Sequence, residues 1–191
     1  LINLVNIDIE VESDSGFPDI RQADKMITAI TMKYRDKILV FGCGDFHTED
    51  ENVHYFKTKN EAALLLKFID VWRKLDIDIV TGWNVEFFDI PYLVNRINRI
   101  HGEEFSKKLS PWGMVTVQEV EINNRKQQAY TLVGISNLDY LELYKKYTYT
   151  QQESYRLDYI CSVEINERKV DYSEYDNLFT LYKDCLLYTS P

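Results

Sequence analysis

The opening run Leu-Ile-Asn-Leu-Val-Asn-Ile-Asp-Ile-Glu-Val-Glu, Leu1 to Glu12, constrains the fold more than any other stretch. Leu4, Val5, Ile7, Ile9 and Val11 supply the aliphatic content of a buried central strand. Asp8, Glu10 and Glu12 fall on the opposite phase of its period-two alternation. Asp8 and Glu10 therefore share a face, roughly 7 Å apart along the backbone, within reach of one divalent metal ion or of a pair about 4 Å apart. The competing reading is an edge strand whose polar face is simply wet.

Beyond this strand the pattern is that of an α/β chain. Ser13 to Asp24, with Gly16 and Pro18, is a turn-rich loop. Met26 to Tyr34 and Lys37 to Cys43 flank Arg35-Asp36 and predict a hairpin, so the first three strands form an antiparallel meander. Gly42 to Asn52 is a second loop, and Val53 to Phe56 suits a short edge strand. From Asn60 to Leu75 the period changes: Ala62, Leu65, Leu66, Ile69 and Trp72 recur at three- and four-residue steps, predicting an amphipathic helix. Ile77 to Thr81, ending at Gly82, is then a strand reached through a helix, which places it parallel by a right-handed crossover.

A second helix is expected from Asp89 through Ile90, Leu93, Val94, Ile97 and Ile100, with Pro91 in its first turn and His101-Gly102 as the stop. Met114 to Ile122 and Gln127 to Val133 flank Asn123-Asn124 as an inserted β-hairpin. Asp139 to Tyr147 and Ser154 to Cys161 read as short helices.

The 191 residues and 45% hydrophobic content are enough for one real core. No apolar run is long enough to span a bilayer, so a soluble, cytoplasmic setting without a membrane is expected. Cys43, Cys161 and Cys185 are scattered, without metal-binding spacing. A formal charge of −9 argues against a free-standing grip on nucleic acid, unless acids hold metal here and other parts of a larger protein hold the strand. The chain opens on Leu1 already in strand, and it is read as an internal piece of something longer.

Thr81-Gly82-Trp83-Asn84-Val85-Glu86-Phe87-Phe88-Asp89 sharpens this reading. A strand ends, glycine permits close approach, and an acid follows on the carboxyl side of the strand, where α/β folds place ligands. Taken locally, Asp89 would be an ordinary N-cap and Asn84 a turn residue. Taken together, Asp8-x-Glu10 resembles the first exonuclease motif of family B DNA polymerases, and Asn84 to Phe88-Asp89 resembles their second. The resemblance runs through most of the chain, is nearest to the replicative polymerases of T-even-like phages, and rests also on Lys74 to Glu86, on Phe88-Asp89-Ile-Pro-Tyr92 and on Leu138 to Lys146.

The resemblance implies a ribonuclease H-like fold, a mixed sheet flanked by helices, and proofreading: 3′-to-5′ removal of misincorporated nucleotides from the single-stranded 3′ end of a primer. It implies two divalent ions, Mg2+ or Mn2+, held by four acids, three of which match Asp8, Glu10 and Asp89. It further implies a DNA contact from the hairpin around Asn123-Asn124, while Asn84, Phe87 and Phe88, beside the acids in sequence, are expected to contact DNA because aromatic rings stack on unpaired bases. The expected partners are the remaining polymerase domains and, through them, a sliding clamp; the setting is the host cytoplasm for a phage-encoded chain. The departure lies at the end. The family's third motif, a tyrosine and the fourth aspartate, is expected beyond Asp184; Tyr172 and Asp176 have its spacing but precede the segment that leads into it. Cys185 to Pro191 resembles a translated adapter tail, so residues 1–184 are read as the domain and 185–191 as non-native. As it stands, the chain is expected to be nearly inactive.

Three other classes fit less well. A restriction-type nuclease would want an acid-x-Lys pair where Glu10-Val11-Glu12 stands, and a dinucleotide-binding fold would want a glycine-rich turn after the first strand. An inactivated ribonuclease H-like module, kept as scaffold or single-strand binder, would be favoured by loss of one of the three acids, and all three are present.

Overall fold

The computed structural model describes residues 2–12, 17–122 and 125–168. Within them lie strands β1 (Leu4–Val11), β2 (Ile27–Tyr34), β3 (Lys37–Gly42), β4 (Val53–Lys57), β5 (Ile79–Gly82), β6 (Val115–Ile122), β7 (Arg125–Leu132) and β8 (Ser136–Asp139). The helices are α1 (Glu61–Lys74), α2 (Asp89–His101), α3 (Glu103–Ser106), α4 (Tyr140–Tyr147) and α5 (Leu157–Glu164), with a 3-10 turn at Lys107–Leu109. Asn123, Asn124, Tyr172, Asp176 and the 185–191 tail lie outside the described residues.

Six strands form one mixed sheet in the order β4-β3-β2-β1-β5-β8, and β6-β7 pair separately as a hairpin. The expected meander is present: β1 pairs antiparallel with β2, and β2 with β3. β5 then lies parallel to β1, with Val5 opposite Val80 and Asn6 opposite Thr81. The edge strand β4 runs parallel to β3. Only β2 opposes the others in this sheet.

Along β1 the alternation is as anticipated, with Val5, Ile7, Ile9 and Val11 buried. Leu4 departs from it: it shares the phase of the acids and is exposed. The core side receives α1 and α2, and Phe41 marks its centre, stacked on Phe56 at 4.8 Å and edge-on to Phe68 at 5.7 Å. Such aromatic pairs stabilise beyond their buried area.

α1 forms where its period predicts, opened by Asn60, whose side chain accepts the Ala63 amide at 3.0 Å. Its buried stripe, however, is Glu61, Leu64, Leu65, Phe68, Ile69 and Trp72, while Leu66 is exposed. Ala62 to Leu66 is apolar throughout, so two adjacent stripes suit the sequence equally well, and packing of Phe68 against Phe41 decides between them. The last helix starts at Leu157 rather than Ser154, and β7 begins at Arg125 rather than Gln127. β8 is a strand that the sequence pattern does not predict; it pairs parallel with β5, Gly82 opposite Asp139, and forms the sheet edge beyond it. Among the described residues no helix is long and apolar enough to cross a membrane.

At Gly82 the end of β5 lies close against β1. A Cβ there would sit 2.6 Å from the Ile7 carbonyl oxygen, backbone that cannot swing aside. Gly82→Ala should therefore destabilise the protein by about 1–3 kcal/mol, the usual range for overpacking. Chemical denaturation would read this as a lower midpoint; an unchanged midpoint would mean that β5 has room to shift.

Candidate active site

The pairing of β5 with β1 ends at Thr81, and the chain then turns through Trp83 to Phe88 beside Asp8 and Ile9. Asn84 adopts φ +64°, a left-handed conformation that asparagine tolerates better than most residues. Its carbonyl accepts the amides of Phe87 (3.2 Å) and Phe88 (3.0 Å), while Val85 is fully buried beneath. The turn delivers Asp89 as the first residue of α2.

Asp89 is not the N-cap that its local sequence suggests. Phe88 occupies that position with no side-chain cap bond. Asp89 is 3% exposed, and its Oδ1 accepts the Ile9 amide at 3.0 Å, a bond spanning 80 residues. Burial pushes its carboxyl well above the ordinary carboxylate range; Asp8 pushes it further, the Ile9 amide opposes, and Asp139 adds a smaller push upward.

Asp8 is exposed on the face of β1 that carries Asn6. Glu10 follows on that face, half-buried, where the β1–β2 register slips between Glu10 and Val11. Such bulges re-aim side chains, and Thr28, the extra residue, donates its hydroxyl to the Glu10 carbonyl at 3.1 Å. The structure thus brings Asp8 and Asp89 within electrostatic reach of each other. Among the described residues no three His, Cys, Asp or Glu side chains converge closely enough to hold a metal ion, so Glu10 is not drawn into a three-acid cluster. The chemistry of Asp8, Glu10 and Asp89 nonetheless suits a hard divalent cation: every donor is a carboxylate oxygen. A buried acid pushed up by a neighbouring acid is what a cation relieves.

Asn84, Phe87 and Phe88 are all half-buried on this turn. Phe88 packs on Tyr92 and on Phe17, whose ring lies 5.1 Å away and is 77% exposed. The turn is also gripped from the side of β8 and α4. Trp83 donates its indole N–H to the Tyr155 carbonyl at 3.1 Å and lies against Tyr140 and Tyr144. Asp139, 4% exposed, takes the amides of Asn84 (3.0 Å) and Glu86 (2.9 Å). Glu86 lines a cleft of about 420 Å3 with Asp139 and Glu142, and burial, then those two charges, raise its carboxyl pKa. The β6–β7 hairpin is anchored to α2 through Tyr130, whose hydroxyl donates to Asn95 Oδ1 at 2.6 Å.

Residues 2–160, which carry all of these elements up to the first turn of α5, match the model of DNA polymerase family B, exonuclease domain. The chain belongs to that family. It is 38% identical over 198 residues to the DNA-directed DNA polymerase of Escherichia phage RB69 and 32% identical to that of Enterobacteria phage T4, in each case over 90% of this chain. The DNA polymerase catalytic subunit of Alcelaphine herpesvirus 1 (strain C500) is 27% identical over 95% of the chain. The chain spans 22% of the length of the two phage polymerases and 18% of the herpesvirus one.

Two residues of this family B domain's site region carry no sequence signal for their roles. Phe17 is a lone aromatic in a polar loop, with no pattern to mark it. Asp139 is legible as a helix opener, which it is, its Oδ1 accepting the Leu141 amide at 2.9 Å; its hold on the Asn84 turn has no local signal.

Proposed function

We propose that the chain is the 3′-to-5′ proofreading exonuclease part of a DNA-directed DNA polymerase, built on a ribonuclease H-like fold. The observation that carries this reading is the buried Asp89 carboxyl, held by the Ile9 amide beside Asp8 across 80 residues. Membership of the family, and a meander followed by parallel strands on the far side of β1, support it.

In this reading Asp8, Glu10 and Asp89 hold divalent ions, magnesium or manganese. Bound there, two such ions supply an activated water and neutralise charge on the leaving oxygen. The chain's own work is placement. Asn84, Phe87 and Phe88 take the unpaired 3′ end of a primer, and the β6–β7 hairpin, whose strands Asn123-Asn124 join in sequence, contacts the strand. Other polymerase domains, and through them a sliding clamp, are the partners, in the host cytoplasm. Residues 1–184 make up the domain, and 185–191 do not belong to it.

Aromatic stacking contributes about 1–3 kcal/mol per unpaired base without sequence preference. Frayed primers should accordingly be cut faster than matched ones; equal rates would argue against strand opening as the gate.

The family's fourth acid and its tyrosine are unassigned here, so the 191-residue chain should cleave a labelled single strand very slowly with manganese. Extending the chain by the helix that bears them should restore cleavage, and Asp8→Ala should remove it. Activity in the extended chain that survives Asp8→Ala would sink the assignment. The alternative is an inactivated module that serves as a scaffold or binds single strands. Binding without cleavage by the extended chain would select it.

A further inference from the structure

Asp139 makes more bonds than a helix cap requires. Its Oδ1 accepts the Leu141 amide at 2.9 Å, which opens α4. The same oxygen accepts the Asn84 amide at 3.0 Å, and Oδ2 accepts the Glu86 amide at 2.9 Å, from a turn more than fifty residues away. The side chain is buried and both its oxygens are engaged by backbone donors, so it is poorly placed to ligate an ion. The residue it holds most directly, Asn84, is the one whose φ of +64° an unconstrained chain rarely keeps. The Asn84 carbonyl in turn fixes the amides of Phe87 and Phe88. Asp89 has a separate anchor on β1, the Ile9 amide.

We infer that Asp139 is a positioning residue: its buried carboxylate locks the Trp83–Phe88 turn and so fixes how Asn84, Phe87 and Phe88 meet an unpaired DNA end. This rests on the nuclease reading above, and it divides the site in two. Losing Asp139 should loosen the grip on the strand while leaving the Asp89 anchor in place.

Asp139→Asn and Asp139→Ala grade the effect. Asparagine retains one acceptor oxygen for Asn84 and Leu141 but turns an N–H donor toward the Glu86 amide; alanine releases all three. Amide hydrogen exchange, which needs no DNA, should speed up about tenfold or more at Glu86 in Asp139→Asn, and at both Asn84 and Glu86 in Asp139→Ala. Fluorescence anisotropy with a labelled hexathymidylate should show a Kd raised about tenfold in Asp139→Asn and more in Asp139→Ala. Asn60→Ala, which removes the cap of α1 on another element, is the control for general destabilisation and should move neither readout.

Unchanged exchange at Asn84 and Glu86 would overturn the proposal. Faster exchange with unchanged Kd would overturn the role of the turn in holding DNA. An equal loss of binding in Asn60→Ala would reduce Asp139 to a general stabiliser and overturn it as well. Failure of the wild-type chain to bind hexathymidylate at all would overturn the nuclease reading and the ligand named here, while the exchange data would still judge the hold on the turn.

Discussion

Asp89→Asn should silence metal-dependent cleavage in the extended chain and, in the presence of a chelator, raise the melting temperature. On the activity side, loss of a carboxylate that fixes an ion removes several kcal/mol of transition-state stabilisation. At about 1.4 kcal/mol per tenfold, that is roughly a hundredfold or more in rate. On the stability side the sign follows from the raised carboxyl of Asp89. Below its ordinary value of 3.8 the group is protonated whether the chain is folded or not, and its contribution is fully present. As pH rises, the unfolded chain ionises first, so stability is lost through the window from 3.8 up to the raised folded value. Asparagine is neutral throughout and keeps an oxygen for the Ile9 amide. The variant's advantage should be absent in acid, grow through that window and level off above it. Manganese should reverse the order by stabilising only the wild type, as any ligand of the folded state does. Paired melting curves from pH 3 to pH 8, with chelator or manganese, would check this; a wild type that is the more stable at neutral pH in chelator would refute the account of Asp89.

Arg96→Met should be among the most destabilising single changes in the domain. Arg96 binds Glu61 in a fork, both contacts 2.7 Å, with both side chains less than a tenth exposed. It also donates to the carbonyls of Ala23 (2.8 Å) and Asp24 (2.9 Å), and Glu61 accepts the Ile27 amide at 2.7 Å. The guanidinium thus fastens α1, α2 and the start of β2 at one point, and its pKa is raised chiefly by the bond to Glu61. Removing one partner of a buried pair strands the other charge, at about 3–5 kcal/mol. For a chain of this size that corresponds to a melting temperature lower by on the order of 10 °C. Glu61→Leu combined with Arg96→Met should recover part of the loss, because neither charge is then stranded. A double variant no better than Arg96→Met would place the damage at the Ala23 and Asp24 carbonyls instead.

The sequence is informative where burial imposes a period and silent where a polar group chooses a distant partner. β1, the meander, α1 and α2 are each long enough for alternation or three-four spacing to show. β8 is four residues, Ser-Asn-Leu-Asp, with no such run; it is defined by its ladder to β5 and by the Ser136 amide bonded to the Asp78 carbonyl at 2.8 Å. The stripe of α1 is ambiguous in sequence because neighbouring positions are equally apolar, and only Phe68 against Phe41 resolves it. Asp89, Asp139 and the pair Glu61–Arg96 share a different difficulty. A carboxylate at a helix start has the same local sequence whether it caps its own helix or reaches a strand 80 residues away. Resemblance points to Asp89 as more than a cap; it includes Asp139 in a matching run without giving it a role, and it gives none to Arg96.

The crossover that puts β5 beside β1 has a kinetic meaning. Asp8 sits in the first strand, but the partner that brings it company arrives only after β2, β3, β4 and α1 have been made and β5 has threaded into place. At about 5–20 residues per second on the ribosome, the 80 residues between Ile9 and Asp89 take roughly 4–16 s to appear. Non-local parallel pairing is slow to form. A nascent chain therefore exposes Asp8 for seconds before Asp89 exists to join it, and β8, which completes the sheet beyond β5, is made later still.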